Sequence, residues 1–295
     1  MADFAVVNLE APVGDPPYTG YPGFNAPESF AKALSDAGFD LMLTANNHTL
    51  DRRSKGLRRT ISALDDSGIA HIGTYVNDST RNETVPAIFN INGIHTAFLN
   101  YTYGTNGFTP SDDVVVNYIE KEQIRHDVQL ARFNHADIVI VCIHWGDEYR
   151  LLPNSNQKEL ADWLEELGVD MVIGAHPHVI QPMELRPNRF HPDRNFFLVY
   201  SLGNFISNMR TPDTRGGAMA SVRLLRSNDG IARIVEASYI PVFTIASDRQ
   251  GSNYRVVEAE KVNIPVWRER AADFLKRARN IFDNHNINVP RKNAY

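Results

Sequence analysis

The stretch VDMVIGAHPHVI, residues 169–180, decides how the rest of this sequence is interpreted. Its first part, residues 169–175, is a mostly apolar run that is typical of a strand buried on both faces of a sheet. His176, Pro177 and His178 then interrupt the run. Two interpretations are open at this point. The segment is either an ordinary turn that contains histidine, or a strand end that presents two imidazole rings to a metal ion.

Other apolar runs also predict interior strands, and helical patterns lie between them. The predicted strands cover residues 4–8, 39–45 and 136–144. The predicted helices cover residues 27–38, 54–68 and 156–168, and each ends in glycine. This alternation of strands and helices is typical of a layered α/β core.

Two segments predict antiparallel hairpins. Residues 85–102 place Asn92-Gly93 between apolar runs, and residues 216–242 repeat the pattern around Asp229-Gly230. A further strand is expected within 195–205, and a basic amphipathic helix over 266–282. We therefore predict a main domain over 1–245. The C-terminal extension, 246–295, would carry a helix packed on the body.

Composition narrows the class of protein. The 295 residues are 43% hydrophobic, and the formal net charge of −5 argues against a general affinity for nucleic acid. No run approaches the roughly 18 consecutive apolar residues that a membrane-spanning helix needs. Cys142 is the single cysteine of the sequence, so an intrachain disulfide is excluded.

Polar residues collect just after the predicted strands, where α/β sheets usually place functional groups. These residues are Glu10, Asn46, Asn47, His48, Asp51, His144, Glu148, His176, His178 and Asn204. Each of them taken alone fits an ordinary role in a turn, a helix cap or the core. Together they supply imidazole nitrogens and carboxylate and amide oxygens, which are ligands for Zn, Mn or Fe. The combination therefore favours a metal site.

The motifs resemble those of the poly-gamma-glutamate capsule biosynthesis CapA family, a branch of the calcineurin-like metallophosphoesterase superfamily. The matching segments are NLEAP (8–12), residues 44–74, IHWGDEYRLLPNSNQ (143–157), residues 168–184 and VYSLGNFIS (199–207). They occur in the family's order and span most of residues 1–210. The resemblance implies a four-layer α/β-β/α sandwich of the metallophosphoesterase type, with two mixed sheets flanked by helices.

The resemblance also implies a role for each residue. The implied metal ligands are Glu10, Asn47, His144, His176 and His178, with Glu10 at the place of the superfamily's usual bridging aspartate. The implied catalytic residues are His48, as a transition-state donor or acid, and Glu148, as a second acid. The implied substrate contacts are Asn46, Asp51 and Asn204. The expected cofactor is one or two divalent ions of Mn, Zn or Fe.

The function implied is that of a metal-dependent, phosphoesterase-like hydrolase in the biosynthesis or processing of an anionic capsule or cell-envelope polymer such as poly-gamma-glutamate. The expected partners are that polymer or a phosphoester substrate, and capsule synthase or export proteins. One alternative is a non-catalytic scaffold, or polymer-binding component, of a capsule synthesis or export complex. Another is a metal-free pocket for a sugar or peptide.

The sequence departs from the superfamily at its start. The first metal-binding motif, an aspartate-bearing turn, should precede residues 8–12, and Asp3 is a poor substitute because it lies in a strand pattern. We expect either a truncated front or the loss of half of the metal site, which would leave one cation weakly held. If an N-terminal anchor was removed, the parent protein is expected in the extracytoplasmic cell envelope. Otherwise the protein is expected in the cytoplasm.

Overall fold

The computed structural model describes residues 2–111, 113–247 and 253–292. Over these residues the protein has the predicted mixed α/β fold, with several sheets and flanking helices. The chain forms two compact units, Met1–His144 and Trp145–Tyr295, here called the first unit and the second unit. The domain division predicted at residue 245 stays a prediction.

The first unit contains eight described strands and four described α-helices. They are β1 (Val6–Asn8), α1 (Glu28–Asp36), β2 (Leu41–Leu43), α2 (Arg53–Asp66), β3 (Ala70–Ile72), β4 (Thr74–Tyr75), α3 (Asp78–Thr84), β5 (Ala87–Ile91), β6 (Ile94–Thr102), β7 (Val115–Val116), α4 (Lys121–Phe133) and β8 (Ile138–His144).

The chain alternates strand and helix through β1, α1, β2, α2 and β3, and the three strands form a parallel sheet in the order β1-β2-β3. The helices connect the strands on a core that includes Leu34, Met42 and Leu64. The central strand β2 is fully buried, but all three residues of β1 are half-buried. The expectation that β1 would be buried on both faces was therefore wrong, because β1 is an edge strand of this sheet.

The second group of strands in the first unit leads to His144. Strands β5 and β6 form the predicted antiparallel hairpin, in which Asn92 and Gly93 both have positive φ angles, 49° and 85°. Strand β6 pairs in parallel with β8, and every residue of β8 is buried. The parallel pairing places His144 at the carboxyl end of an interior strand, as predicted.

The second unit contains six described strands and two described α-helices. They are α5 (Ser155–Glu166), β9 (Met171–Ala175), β10 (Met183–Pro187), β11 (Asn195–Val199), β12 (Gly216–Arg226), β13 (Ala232–Ile245), β14 (Arg255–Glu258) and α6 (Pro265–His285). Strand β11 pairs in parallel with β9 and antiparallel with β10. Strands β12, β13 and β14 form an antiparallel sheet, and β12 and β13 are the second predicted hairpin.

Helix α6 packs on β13 through aromatic side chains. Phe274 lies 6.0 Å from Phe243 between ring centroids, and Phe282 lies 4.0 Å from Tyr239. Phe274 and Phe282 are buried together with Ile281, as the amphipathic pattern of the tail predicted. No helix among the described residues is both long enough and apolar enough to cross a membrane.

Candidate functional site

Three polar side chains meet at the end of β8 in the first unit. His144 is 1% exposed, and its Nε2 atom lies 2.9 Å from Asn47 Oδ1 and 3.5 Å from Glu10 Oε1. Asn47 is also buried, whereas the Glu10 side chain keeps 21% of its surface exposed. The loops after β1 and β2 thus bring a carboxylate and an amide oxygen to the imidazole.

The spacing of these three atoms fits a shared cation. Two ligands about 2.1 Å from one ion lie about 3.0–3.4 Å apart when the angle between them is about 90–110°. The two distances from His144 Nε2 are close to that range. A carboxylate, an amide oxygen and an imidazole also form a suitable mixed donor set for Mn, Zn or Fe. The first unit alone therefore presents three compatible donors.

Cys142, two residues before His144, is not a candidate ligand. Its side chain is buried in β8, and burial raises the pKa of the thiol to about 12. A thiol must lose its proton to bind a metal or to act as a nucleophile. Cys142 is therefore a core residue.

Buried amides hold the loop that carries Asn47. Asn46 donates from Nδ2 to the Leu9 carbonyl at 2.8 Å, and its Oδ1 accepts from the backbone N–H of His48 at 3.1 Å. Asn100 on β6 accepts from the backbone N–H of Ala45 at 2.8 Å. These bonds fix the loop against β6 and against the segment that precedes Glu10. Asn46 therefore braces the loop, and its implied contact with substrate stays a prediction.

His48 and Asp51 form a buried pair beside the donors. Asp51 Oδ2 lies 2.8 Å from His48 Nδ1, and the side chains are 6% exposed for His48 and 1% for Asp51. Asp51 Oδ2 also accepts from the backbone N–H of Phe24, whose ring packs edge-on against His48 at 4.6 Å. The carboxylate selects the tautomer in which Nδ1 carries the proton, so His48 presents Nε2 outward from the pair.

Two neighbours of these residues were not identified from the sequence. Asn106 contacts Asn47 through its Oδ1 at 3.3 Å and His48 through its Nδ2 at 3.4 Å. Tyr103 stacks on His144 with ring centroids 6.4 Å apart and planes 6° apart. Asn106-Gly107 has the sequence signature of an ordinary turn, so only the three-dimensional contacts distinguish this asparagine.

In the second unit, the two histidines after β9 lie on an unusual turn. His176 has φ of 101° and His178 has φ of 60°, so both have left-handed backbone conformations that side-chain-bearing residues seldom adopt. Their ring centroids are 6.2 Å apart. Strained backbone of this kind persists where surrounding contacts enforce it, and it is concentrated at functional sites. The turn is therefore a candidate functional position.

Contacts on both sides hold His178 in one orientation. Its Nδ1 lies 3.1 Å from Asn204 Oδ1, and Tyr149 stacks on its ring at 6.1 Å. Asn204 uses its Nδ2 to donate to the Thr214 carbonyl at 2.8 Å, so its oxygen faces the histidine. Nδ1 of His178 must then donate, which leaves the lone pair on Nε2 for a metal, the arrangement usual in metal-binding histidines.

Glu148 is a more peripheral member of this group. Its Oε1 lies 4.0 Å from His178 Nε2, and its side chain is 41% exposed. The backbone N–H of the next residue, Tyr149, donates to the Pro177 carbonyl at 2.8 Å. This bond ties the segment that carries Glu148 to the histidine turn.

The predicted residues thus form one group in each unit. Glu10, Asn46, Asn47, His48, Asp51 and His144 lie close together in the first unit. His176, His178, Glu148 and Asn204 do so in the second unit. The roles implied for them in metal binding, catalysis and substrate binding stay predictions.

Comparison with known proteins decides the family. A sequence model of the family described as "Bacterial capsule synthesis protein PGA_cap" matches residues 1–209. The chain belongs to this family. The match covers Glu10, Asn47, His144, His176 and His178, and so contains all the predicted ligands.

Two curated relatives are similar to this PGA_cap family member. Capsule biosynthesis protein CapA of Bacillus anthracis is 28% identical over 262 residues, which cover 83% of this chain and 60% of the relative. PGA biosynthesis protein CapA of Bacillus subtilis (strain 168) is 28% identical over 210 residues, which cover 68% of this chain and 50% of the relative. The matched parts are thus about one half to three fifths of the relatives' length.

Two solved structures resemble the chain more remotely. NAD nucleotidase (NadN) of Haemophilus influenzae has 15% identity and a TM-score of 0.47, covering 85% of this chain and 48% of that protein. Sulfate thiohydrolase SoxB of Thermus thermophilus has 16% identity and a TM-score of 0.46, covering 88% of this chain and 40% of that protein. Because both TM-scores are below 0.5, neither likeness carries an argument about this chain.

Proposed function

We propose that this chain is a metal-dependent hydrolase of the phosphoesterase type that acts on an anionic polymer of the bacterial capsule or cell envelope. The observation that supports it most is the donor set at the end of β8. There His144 Nε2 lies 2.9 Å from Asn47 Oδ1 and 3.5 Å from Glu10 Oε1. The buried pair of His48 and Asp51 in the same unit supplies an acid or donor for the reaction.

The proposal includes His176 and His178 as further metal ligands, and one or two cations of Mn, Zn or Fe. Its support is the chemistry of the second unit. The left-handed turn and the contact with Asn204 orient His178 as a metal-binding histidine would be oriented. Both histidines also fall within the matched family segment.

The side chains of this protein would carry the acid–base work. A divalent cation would supply Lewis acidity and a bound water of lowered pKa. His48, held by Asp51 and protonated on both ring nitrogens, would donate its Nε2 proton to the substrate oxygen on which charge develops as the bond breaks. Glu148 is proposed as a second acid, and its partial exposure leaves it accessible to a bulky substrate.

The substrate and setting are proposed from the names of the relatives. Both CapA relatives are named for biosynthesis, one of capsule and the other of PGA. We propose an anionic polymer such as poly-gamma-glutamate, or a phosphoester linked to it, as substrate, with capsule synthase or export proteins as partners. We propose the extracytoplasmic cell envelope as the location. Protease accessibility of the protein on spheroplasts tests this: protection until the membrane is lysed would contradict it.

A hydrolysis assay tests the activity. The protein would be stripped of metal, reloaded with Mn²⁺ or Zn²⁺, and incubated with bis-p-nitrophenyl phosphate and with poly-gamma-glutamate. We expect metal-dependent turnover of at least one substrate. His48→Ala should lower kcat by about 10²- to 10⁴-fold without loss of metal binding, because a positioned acid is removed. Asp51→Asn should lower kcat by a smaller factor than His48→Ala does.

The control is His126→Ala, since the His126 side chain is 68% exposed and lies on α4, outside the proposed site. It should retain the wild-type rate. Failure of both substrates to turn over with any metal would contradict the hydrolase proposal and leave the non-catalytic scaffold. A metal-dependent rate unaffected by His48→Ala would remove His48 from the mechanism.

A further inference from the structure

The second unit contains a polar cavity that the proposed metal ligands do not line. Its volume is about 320 Å³, which is within the range of small-ligand pockets. It is lined by residues 207–210, by Arg215, by Thr244 and Ala246 of the β13 end, and by Trp267 and Arg270 of α6. We call it the arginine pocket, because Arg210, Arg215 and Arg270 all line it.

The three arginines concentrate positive charge at the pocket. Among the described residues, no carboxylate forms an ion pair with any of them. Arg215 donates from Nε to the Arg210 carbonyl at 2.9 Å, so one backbone oxygen satisfies a single donor. Burial, and then the positive charges of Arg270 and Arg210, lower the pKa of Arg215. Bringing like charges together costs free energy unless an anion offsets it.

Trp267 adds an unused hydrogen-bond donor at the same place. The residue is 7% exposed, and its indole Nε1 is buried without a hydrogen-bond partner among the described residues. Arg215 and Arg270 lie near its ring, with guanidinium carbons 5.4 and 5.1 Å from the ring centroid. A buried donor of this kind normally has a hydrogen-bond partner, and none of the described residues supplies one.

We propose that the arginine pocket binds an oxyanion, either a carboxylate or a phosphate group of a ligand. Arginine forms paired hydrogen bonds with both groups, and its planar fork suits them better than a lysine would. Arg215 and Arg270 would hold the anion, and Trp267 Nε1 would donate to it. The pocket itself does not depend on the proposed metal site.

The pocket shares a segment of chain with the proposed ligand His178. Asn204, which contacts His178, donates from Nδ2 to Met209 Sδ at 3.3 Å and to the Thr214 carbonyl at 2.8 Å. The segment 204–215 therefore supplies both a partner of His178 and a large part of the pocket lining. An anion in the pocket would fix this segment.

Calorimetric titration of the full chain tests the pocket with two probes, inorganic phosphate and triglutamate. We expect saturable binding of at least one. Arg270→Ala and Arg215→Gln should each weaken it about tenfold or more, because a charge-assisted hydrogen bond is lost. Arg268→Ala is the matched control: Arg268 is an exposed arginine of α6, bonds to the Asn263 carbonyl and does not line the pocket.

Each outcome is informative. Binding of phosphate alone, or of triglutamate alone, would identify which oxyanion the pocket prefers. Binding of neither probe would overturn the proposal, as would binding that survives both pocket substitutions. An equal loss in Arg268→Ala would show general attraction to surface charge and would also overturn it. Circular dichroism spectra should confirm that each variant is folded.

Discussion

The amide side chain of Asn204 is one of the groups that orient His178. Asn204 Oδ1 lies 3.1 Å from His178 Nδ1, and Asn204 is itself fixed by its bond to the Thr214 carbonyl. We predict that Asn204→Ala weakens Mn²⁺ or Zn²⁺ binding by about 10- to 100-fold, the usual cost of losing a group that orients a metal-binding histidine. Isothermal titration calorimetry measures this directly.

Asn208→Ala is the control for that substitution. Asn208 is an exposed asparagine of the same segment and bonds to the Tyr254 hydroxyl. The Asn208→Ala variant should bind Mn²⁺ or Zn²⁺ with the same affinity as the wild type. Equal affinity in Asn204→Ala would show that His178 needs no support from Asn204, or that His178 does not bind the metal.

For individual residues, the sequence predicted the chemical type of the side chains better than it predicted their contacts in the fold. His144, His176 and His178 follow apolar strands, and strand ends are where α/β proteins collect polar groups. Asn106 could not be predicted, because it is 59 residues from Asn47 in sequence and meets it only through folding. Nor did the sequence show that the side-chain amide of Asn46 forms hydrogen bonds with backbone groups. Residue types are visible in a sequence, but hydrogen-bond partners are not.

Among the elements, strand β9 depends on a close approach to its neighbours. A Cβ atom added to Gly174 would collide with the Tyr200 carbonyl and with Trp145 Nε1, which are joined by a hydrogen bond of 2.9 Å. We predict that Gly174→Ala destabilises the protein by about 1–3 kcal/mol, because neither neighbour can move without breaking that bond. Urea denaturation followed by circular dichroism measures the change.

Gly20→Ala provides the comparison, since nothing lies within 4 Å of the position of its added Cβ. It should leave the free energy of unfolding within about 0.5 kcal/mol of the wild type. The same small effect in Gly174→Ala would show that β9 can shift to accept a methyl group. The close packing described for it would then be wrong.

Helix α5 is joined to β10 and the segment after it by a buried carboxylate. Glu165 is fully buried and accepts from Arg186 Nη1 at 2.6 Å and from Arg189 Nε at 2.8 Å. Burial raises the pKa of Glu165, but the hydrogen bonds from the two arginines outweigh it, so the pKa is lowered from its ordinary 4.5. We predict that Glu165→Gln costs about 2 kcal/mol of unfolding free energy at neutral pH.

The sign of the pH dependence follows from the lowered pKa. The contribution of ionised Glu165 is fully present above pH 4.5 and is lost as the pH falls through the lower folded-state pKa. The difference between wild type and Glu165→Gln should therefore shrink in acid. Urea unfolding at a series of pH values measures it, with the exposed neighbour Glu166→Gln as control. A difference that stays constant below pH 4.5 would contradict the account.

The elements with strong local signals were predicted, and those with weak signals were not. Asn92-Gly93 and Asp229-Gly230 predicted both hairpins; Asn92, Gly93 and Gly230 have the positive φ angles that few other residue types adopt. Helix α4 was missed, since its buried face is short and includes the charged Asp127 among Ile124, Val128 and Ala131. The exposure of β1 was also mispredicted. Its apolar sequence does not reveal that it is an edge strand.

The family and the fold class could be predicted from the sequence, whereas the activity is proposed. Several motifs in the correct order identified the family, and the family match over residues 1–209 confirmed it. The chain spans about half to three fifths of the length of its two curated relatives. Substrate, partners and location are therefore proposals.

Titration of Mn²⁺ and Zn²⁺ into metal-stripped protein is the direct test of the proposed metal ligands. The variants are His144→Ala from the first unit, His176→Ala from the second, and His126→Ala as the exposed control. We predict tight binding in wild type and in His126→Ala, and loss of binding in both other variants. Binding that persists at wild-type strength in either His144→Ala or His176→Ala would contradict the role proposed for that histidine as a metal ligand.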